Sequence, residues 1–399
     1  MRNVLRSPRR HATSCPRPGR VTHRLNLERL EDRTVPTSGF VQTALISDVP
    51  GLAVSTDPHL LNPWQFNQTP TGQFRVAANG SGRAIQLDAQ GHKVGADIMI
   101  PPPPGSPADA VAAPTGEVSN STAAFVISSN GQSAPASLIF STEDGTIAGW
   151  NSTLSQTRAV IASDQSGNGS VYKGLAMGAA GGAVYLYATN FHNGSVDVFD
   201  THFALHMFSA GQFTDPNTPM GFAPFGIKNI GGVVFVTYAK QNSDAHDDVA
   251  GPGNGFIDEF STSGVFLKRL ASGTAAGGTL MVLNSPFGMA MAPAGFGNFG
   301  GDLLVGNFGD SHVSAFNPSS GAFLGQLTDK LGNPLVLNGG FNETSTKGLW
   351  GIEFGNGAGG TGTNTLYFAA GINDESDGLF GMVNVDTGFV PRRHALPRR

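Results

Sequence analysis

The residues of this chain best suited to chemistry are oxygen donors gathered in short loops. The stretch Asn242–Gly255, NSDAHDDVAGPGNG, carries Asp244, His246, Asp247 and Asp248 within five residues. Clusters of carboxylate and carbonyl oxygens are what calcium binds, so Asp244, Asp247 and Asp248 are the candidate metal ligands and Ca²⁺ the candidate ion. The competing reading is a hairpin loop that its charges keep wet, since the D-x-D-x-D-G spacing of an EF-hand loop is absent. A second acidic loop, Asn373-Asp374-Glu375-Ser376-Asp377, has the same character. Glu143-Asp144-Gly145 reads first as a tight turn, the geometry that Asp-Gly favours. Amides and aromatics form the other set. Asn79, Asn190 and Asn307 each end an apolar run, while Trp64, Phe225, Phe287 and Trp350 stand in a recurring short motif. A ring built from Trp64, Asn79, Asn190, Asn307 and Trp350 would bind a polar ligand. The same residues also serve as turn caps and packing, and a residue repeated from unit to unit usually serves the repeat itself.

The elements that must position these groups are short strands. Residues 284–327 hold four strand candidates, Phe287–Met291, Asp302–Asn307, His312–Asn317 and Phe323–Leu327, separated by Gly-Asn, Gly-Gly, Gly-Asp and Pro-Ser-Ser-Gly turns. The first begins with Pro286-Phe287-Gly288-Met289. Copies are Pro224-Phe225-Gly226-Ile227, Leu349-Trp350-Gly351-Ile352, Tyr172-Lys173-Gly174-Leu175, Pro114-Thr115-Gly116-Glu117 and Pro63-Trp64-Gln65-Phe66, where Gln65 replaces the glycine. Positions 65, 116, 174, 226, 288 and 351 are 51, 58, 52, 62 and 63 residues apart. Propeller blades recur every ~40–50 residues, and the excess here falls in Gly-rich or acidic loops. Third strands alternate apolar and polar residues, as in Ser195–Asp200, which marks a strand with one buried face. The expected fold is all-β: a six-bladed β-propeller of four-stranded antiparallel blades. Its ring would be closed by an N-terminal strand, Thr43–Ser47, pairing with the unit at 348–387.

Composition and charge narrow the function. The 55 glycines and 25 prolines accompany 27 phenylalanines and regular apolar strands, so they read as turn chemistry rather than disorder. Residues 1–33 hold nine arginines against three acidic residues, and 392–399 add four arginines. The body between them has 26 acidic against 11 basic residues. An acidic body argues against nucleic acid as a partner, which requires a basic footprint. The only cysteine is Cys15, so the body has neither disulfide nor thiolate chemistry. No stretch approaches the ~20 apolar residues of a membrane span. There is no G-x-S-x-G elbow, H-E-x-x-H pair, P-loop or dinucleotide fingerprint. A monomer is expected.

Three segments follow: 1–38, a disordered basic segment; 39–388, the propeller; and 389–399, a disordered basic tail. The run Leu30-Glu31-Asp32-Arg33-Thr34-Val35-Pro36 resembles an N-terminal segment of large exported planctomycete proteins, although the apolar core of a standard secretory signal is missing. The body, roughly 41–385, resembles an uncharacterised bacterial family of secreted NHL-like propellers. The resemblance rests on Thr56-Asp57-Pro58, Thr142–Trp150, His246–Gly251, Gly306–Asp310 and Asn373–Glu375 with Gly378–Gly381. It implies a propeller in an extracellular or cell-envelope location and no established activity. The tail lacks the Pro-Glu-Pro sorting motif that members often carry. The reading favours a non-catalytic binding module for a protein or glycan over an enzyme. One alternative is a Ca²⁺-dependent lactonase-like hydrolase, with Asn79, Asn190 and Asn307 beside Glu117 or Glu353 in the channel. The other is a purely structural envelope protein.

Overall fold

The computed structural model describes residues 39–274, 280–339 and 347–387. The two expected tails, 1–38 and 389–399, lie outside them. Six sheets are arranged as blades, each a four-stranded antiparallel meander at its core. Their inner strands are Pro63–Gln68, Pro114–Ser119, Tyr172–Ala180, Phe222–Ile230, Pro286–Met291 and Leu349–Phe354, heading blades 1 to 6. The all-β, six-bladed expectation holds. Among the described residues, the only helical turns are three short 3-10 segments, and no helix is long and apolar enough to cross a membrane. Blade 6 takes its fourth strand from Gly39–Ser47, which starts four residues before the expected Thr43. It runs antiparallel to Asp377–Asp386, with Gly39 opposite Asp386 and Ser47 opposite Leu379. A hairpin inserted in blade 2, Val126–Ser129 with Gln132–Pro135, was not expected. Asn130 and Gly131 both adopt positive φ at its tip, the two-residue turn that Asn-Gly prefers.

The recurring motif is a β-bulge. In blade 4, Pro224 pairs with Tyr238 and Ile227 with Val236, so Phe225 and Gly226 together face only Thr237. The same two-against-one slip occurs in blades 1, 3, 5 and 6. In blade 2 the extra residue is Thr115. A bulge re-aims the side chain it carries. Here it brings Trp64, Lys173, Phe225, Phe287 and Trp350 together at the axis and sends the Thr115 hydroxyl to the Tyr172 carbonyl. The neighbouring glycine, where there is one, faces the next blade.

The glycine is needed for contact, not for φ. A Cβ on Gly226 would stand 2.1 Å from the carbonyl oxygen of Phe287, and one on Gly288 2.4 Å from that of Trp350. Second-strand hydroxyls hold the bulges in place: Gly174 N–H donates to Thr189 Oγ1 at 2.7 Å, and Gly226 N–H to Thr237 Oγ1 at 2.8 Å. Gln65 breaks the series productively. Its Nε2 donates to the carbonyls of Glu117 (3.0 Å) and Leu175 (2.9 Å), tying blade 1 to blades 2 and 3.

Candidate functional site

Four bulge aromatics fill the axis. Trp64 and Trp350 stack with ring centres 3.4 Å apart, and Phe287 meets both edge-on. Phe225 touches Phe287 and Trp350. All four are buried, so the axis is sealed at this level, with a cavity of about 20 Å³ beneath it. Trp350 Nε1 donates to Asn62 Oδ1 at 3.0 Å. The buried Nε1 of Trp64 has no acceptor.

Lys173 is the exception among the axial residues. It occupies the aromatic position of blade 3, only 2% exposed, with its ammonium 5.3 Å from the Trp64 ring centre and 5.8 Å from that of Phe191. A buried ammonium requires carboxylates, and it has them: Glu143 in contact and Asp247 Oδ1 at 3.3 Å. Burial pulls the ammonium pKa down, but Glu143 and Asp247 outweigh it and the result is a rise. Burial pushes Asp247 up, and Lys173 and His246 bring it below the usual carboxylate range. Asn79 Nδ2 donates to Glu143 Oε2 at 2.8 Å, and His246 Nδ1 lies 2.9 Å from Asp247 Oδ1.

Two more carboxyls join this mouth. Burial raises Asp248, against the pull of Lys173. Burial also lifts Glu375 to about 7, opposed by Lys347 and by Asn62, whose Nδ2 reaches Glu375 Oε2 at 3.1 Å. Glu375 is presented by three successive residues at positive φ, Asn373, Asp374 and Glu375. Side-chain-bearing residues adopt that conformation at a cost and rarely in runs.

The sequence candidates therefore divide. Trp64, Trp350, Asn79, Asp247 and Asp248 converge on one mouth. Asp244 is exposed and meets only the Ser243 hydroxyl, at 3.3 Å. Asn190 and Asn307 are buried in their own turns: Asn190 Nδ2 donates to Ser170 and Asp197, and Asn307 Nδ2 to Ser314. Glu143, His246 and Asp247 place three ligand atoms within 4.8 Å of one another, and the Lys173 ammonium pairs with both of the carboxylates there. Sequence reading passed over Lys173 and took Glu143 as a turn residue, while it noted the acidic loop of Glu375 without choosing that residue. A lysine in an otherwise bulky, apolar motif position was the available signal.

Glu117 and Glu353 lie beyond the aromatic seal, at the opposite mouth, in a pocket of about 210 Å³. In blade 2, Glu117 pairs with Phe140, while Pro114 pairs with Thr142, next to Glu143. The lactonase-like arrangement required these glutamates beside the three amides. Two of the amides cap separate turns instead.

Fold and axis define the class: a six-bladed β-propeller whose axis is filled by stacked aromatic side chains. No protein-family model matches the chain. Over 351 residues it is 31% identical to the uncharacterised protein L690 of Acanthamoeba polyphaga mimivirus, covering 86% of this chain and 85% of that protein. It is 28% identical to protein R648 of the same virus, also uncharacterised, covering 86% and 79%. The chain belongs to the same family as L690. These relatives are viral, not members of the bacterial group that the sequence resemblance implied. Among solved structures, a protein of unknown function from Bacteroides thetaiotaomicron aligns with TM-score 0.50 at 10% identity, covering 86% of this chain and 76% of that one. Virginiamycin B lyase from Staphylococcus aureus aligns at 0.46 and 14%, covering 87% and 99%. Such likenesses bear on the fold alone.

Proposed function

We propose that this protein is a non-catalytic binding propeller that engages a glycan or protein surface through the Lys173 mouth, outside the cell or at the cell envelope. One observation carries the reading: residues that break the repeat converge there. Lys173 replaces an aromatic, the acidic loop supplies Asp247 and Asp248, and the strained turn presents Glu375. Repeated residues serve the repeat, whereas pattern-breaking residues at one place serve something else. Carboxylates outnumber ammonium groups at this mouth, which favours a partner rich in N–H and O–H donors. The planctomycete-like N-terminal run supports an exported location.

The test is binding of the full chain to immobilised chitosan oligosaccharides, with N-acetylated counterparts as controls. The free-amine chains should be retained, and Glu143→Gln with Glu375→Gln together should weaken retention by about tenfold, the effect of losing one charge-assisted hydrogen bond. Equal retention by parent and variant, or none by either, would sink this reading.

A further inference from the structure

The geometry points to a second binding site at the opposite mouth: the pocket lined by Glu117 and Glu353 takes a small neutral polyol, such as a single sugar ring or a cyclitol. Its volume of about 210 Å³ equals several times the ~30 Å³ share of a liquid water molecule. Gln65, Phe66, Leu175, Met177, Lys228 and Glu353 line it together with Glu117.

Glu117 is the reason to place a ligand here. It is 1% exposed, and it is held in position: Ser119 Oγ donates to Asn67 Oδ1 at 2.6 Å, and Asn67 Nδ2 donates to Glu117 Oε1 at 2.7 Å. Its other oxygen, Oε2, is enclosed without a hydrogen-bond partner. A buried polar atom left unpaired is costly, and this one belongs to a residue that lines the pocket. Glu353 Oε2 likewise lacks a hydrogen bond; its nearest cation, Lys228 Nζ at 3.5 Å, is an ion-pair partner beyond good hydrogen-bond range. Other polar neighbours are committed: Asn229 Nδ2 to Met177 O, Gln65 to the backbone, and Arg75 to Phe74 O and Gln73.

Charge selects a neutral ligand. The titratable groups around Glu117 are Arg75 from the second strand of blade 1, Lys228 from blade 4 and Glu353 from blade 6. Arg75 does not line the pocket, and of the lining residues Glu353 and Lys228 form one ion pair, so with Glu117 protonated no net charge is left for an ion to answer. Burial, opposed by Arg75 and Asn67 and reinforced by Glu353, raises Glu117 to about 8, so near neutral pH it donates a proton while Glu353 accepts. A hydroxyl both donates and accepts, and neighbouring hydroxyls on one ring satisfy both carboxyls. The ring carbons would lie against Phe66, Leu175 and Met177.

The experiment is ligand-detected NMR on the full chain with glucose and myo-inositol as probes, and with butylammonium and propionate as charged controls. At least one polyol should bind with Kd below about 10 mM. Glu117→Gln keeps a donor and an acceptor and should change that affinity less than about threefold, while Glu117→Leu, which keeps the volume but removes both, should weaken it by tenfold or more. Affinity should also fall as pH rises through about 8, where Glu117 loses the proton it donates. Far-UV circular dichroism checks that each variant folds, and Lys228→Met, on a part-exposed residue, supplies a second variant that should also weaken polyol binding. Butylammonium binding that Glu117→Gln abolishes would overturn the proposal in favour of a cation site. Failure of both polyols to bind the folded parent would overturn it outright.

Discussion

Replacing Lys173 by methionine isolates the strongest electrostatic commitment in the fold. Methionine keeps much of the length and the apolar contact with Trp64 and Phe191 while removing the charge. Two carboxylates are then left without their cation, and they respond differently. The Asp247 side chain is 61% exposed and can be rehydrated, so its share is at most about 1 kcal/mol. The Glu143 side chain is 13% exposed; stranding a largely buried charge costs ~3–5 kcal/mol. Asn79 still donates to Glu143 at 2.8 Å, which places the expected loss at the lower end, about 3 kcal/mol. Adding Glu143→Gln removes the stranded charge and should recover all but ~1 kcal/mol, since neutral replacement of a buried pair is often tolerated. Glu143→Gln alone leaves the buried Lys173 ammonium with Asp247 only, and its cost adds to the cycle. Urea denaturation of the parent, the two single variants and the double variant should therefore give a coupling energy of at least about 2 kcal/mol. If Lys173→Met alone were as stable as the parent, Glu143 and Asp247 would not depend on the ammonium, and the account of this mouth would fail.

Two further outcomes test the frame and the far pocket. Gly226→Ala should lower stability by at least the ~1–3 kcal/mol typical of overpacking, because the added Cβ would meet a rigid backbone carbonyl at 2.1 Å; a neutral result in thermal unfolding would remove close blade contact as the reason for glycine. For Glu117, the native pKa of about 8 exceeds the ordinary 4.5, so the native state keeps a proton that the unfolded chain releases. Its contribution is complete below about pH 4.5 and is lost as pH rises through 8, at ~1.4 kcal/mol per unit. Glu117→Gln should therefore gain on the parent in urea midpoints between pH 5 and pH 8, and a flat difference would contradict the assignment.

How far the sequence revealed all this depends on what each signal encodes. Pro-Phe-Gly repeats disclosed the blades because glycine spacing and period-two alternation are local properties. The same repeats were read as plain strand starts, since a bulge is a property of two paired strands and only one is visible in the motif. Asn79, Asn190 and Asn307 look alike in sequence. They diverge because Asn190 and Asn307 have a partner within their own turn, Asp197 and Ser314, whereas Asn79 meets Glu143 from another blade. Lys173 was hidden by the act of matching: in a repeat, a loose copy invites tolerance, and the mismatch was the informative residue. The backbone of Asn373–Glu375 was only partly marked, because Asn373 and Asp374 are types that tolerate positive φ while Glu375 is not.

The stacked aromatics have a consequence for how this molecule can change over time. They act as a bulkhead, leaving each mouth its own loops and its own charges. Substitutions on one side are then expected to combine additively with those on the other, as for sites without shared partners. Selection could then alter one face without disturbing the other, so a single ring of blades can change as two separate surfaces.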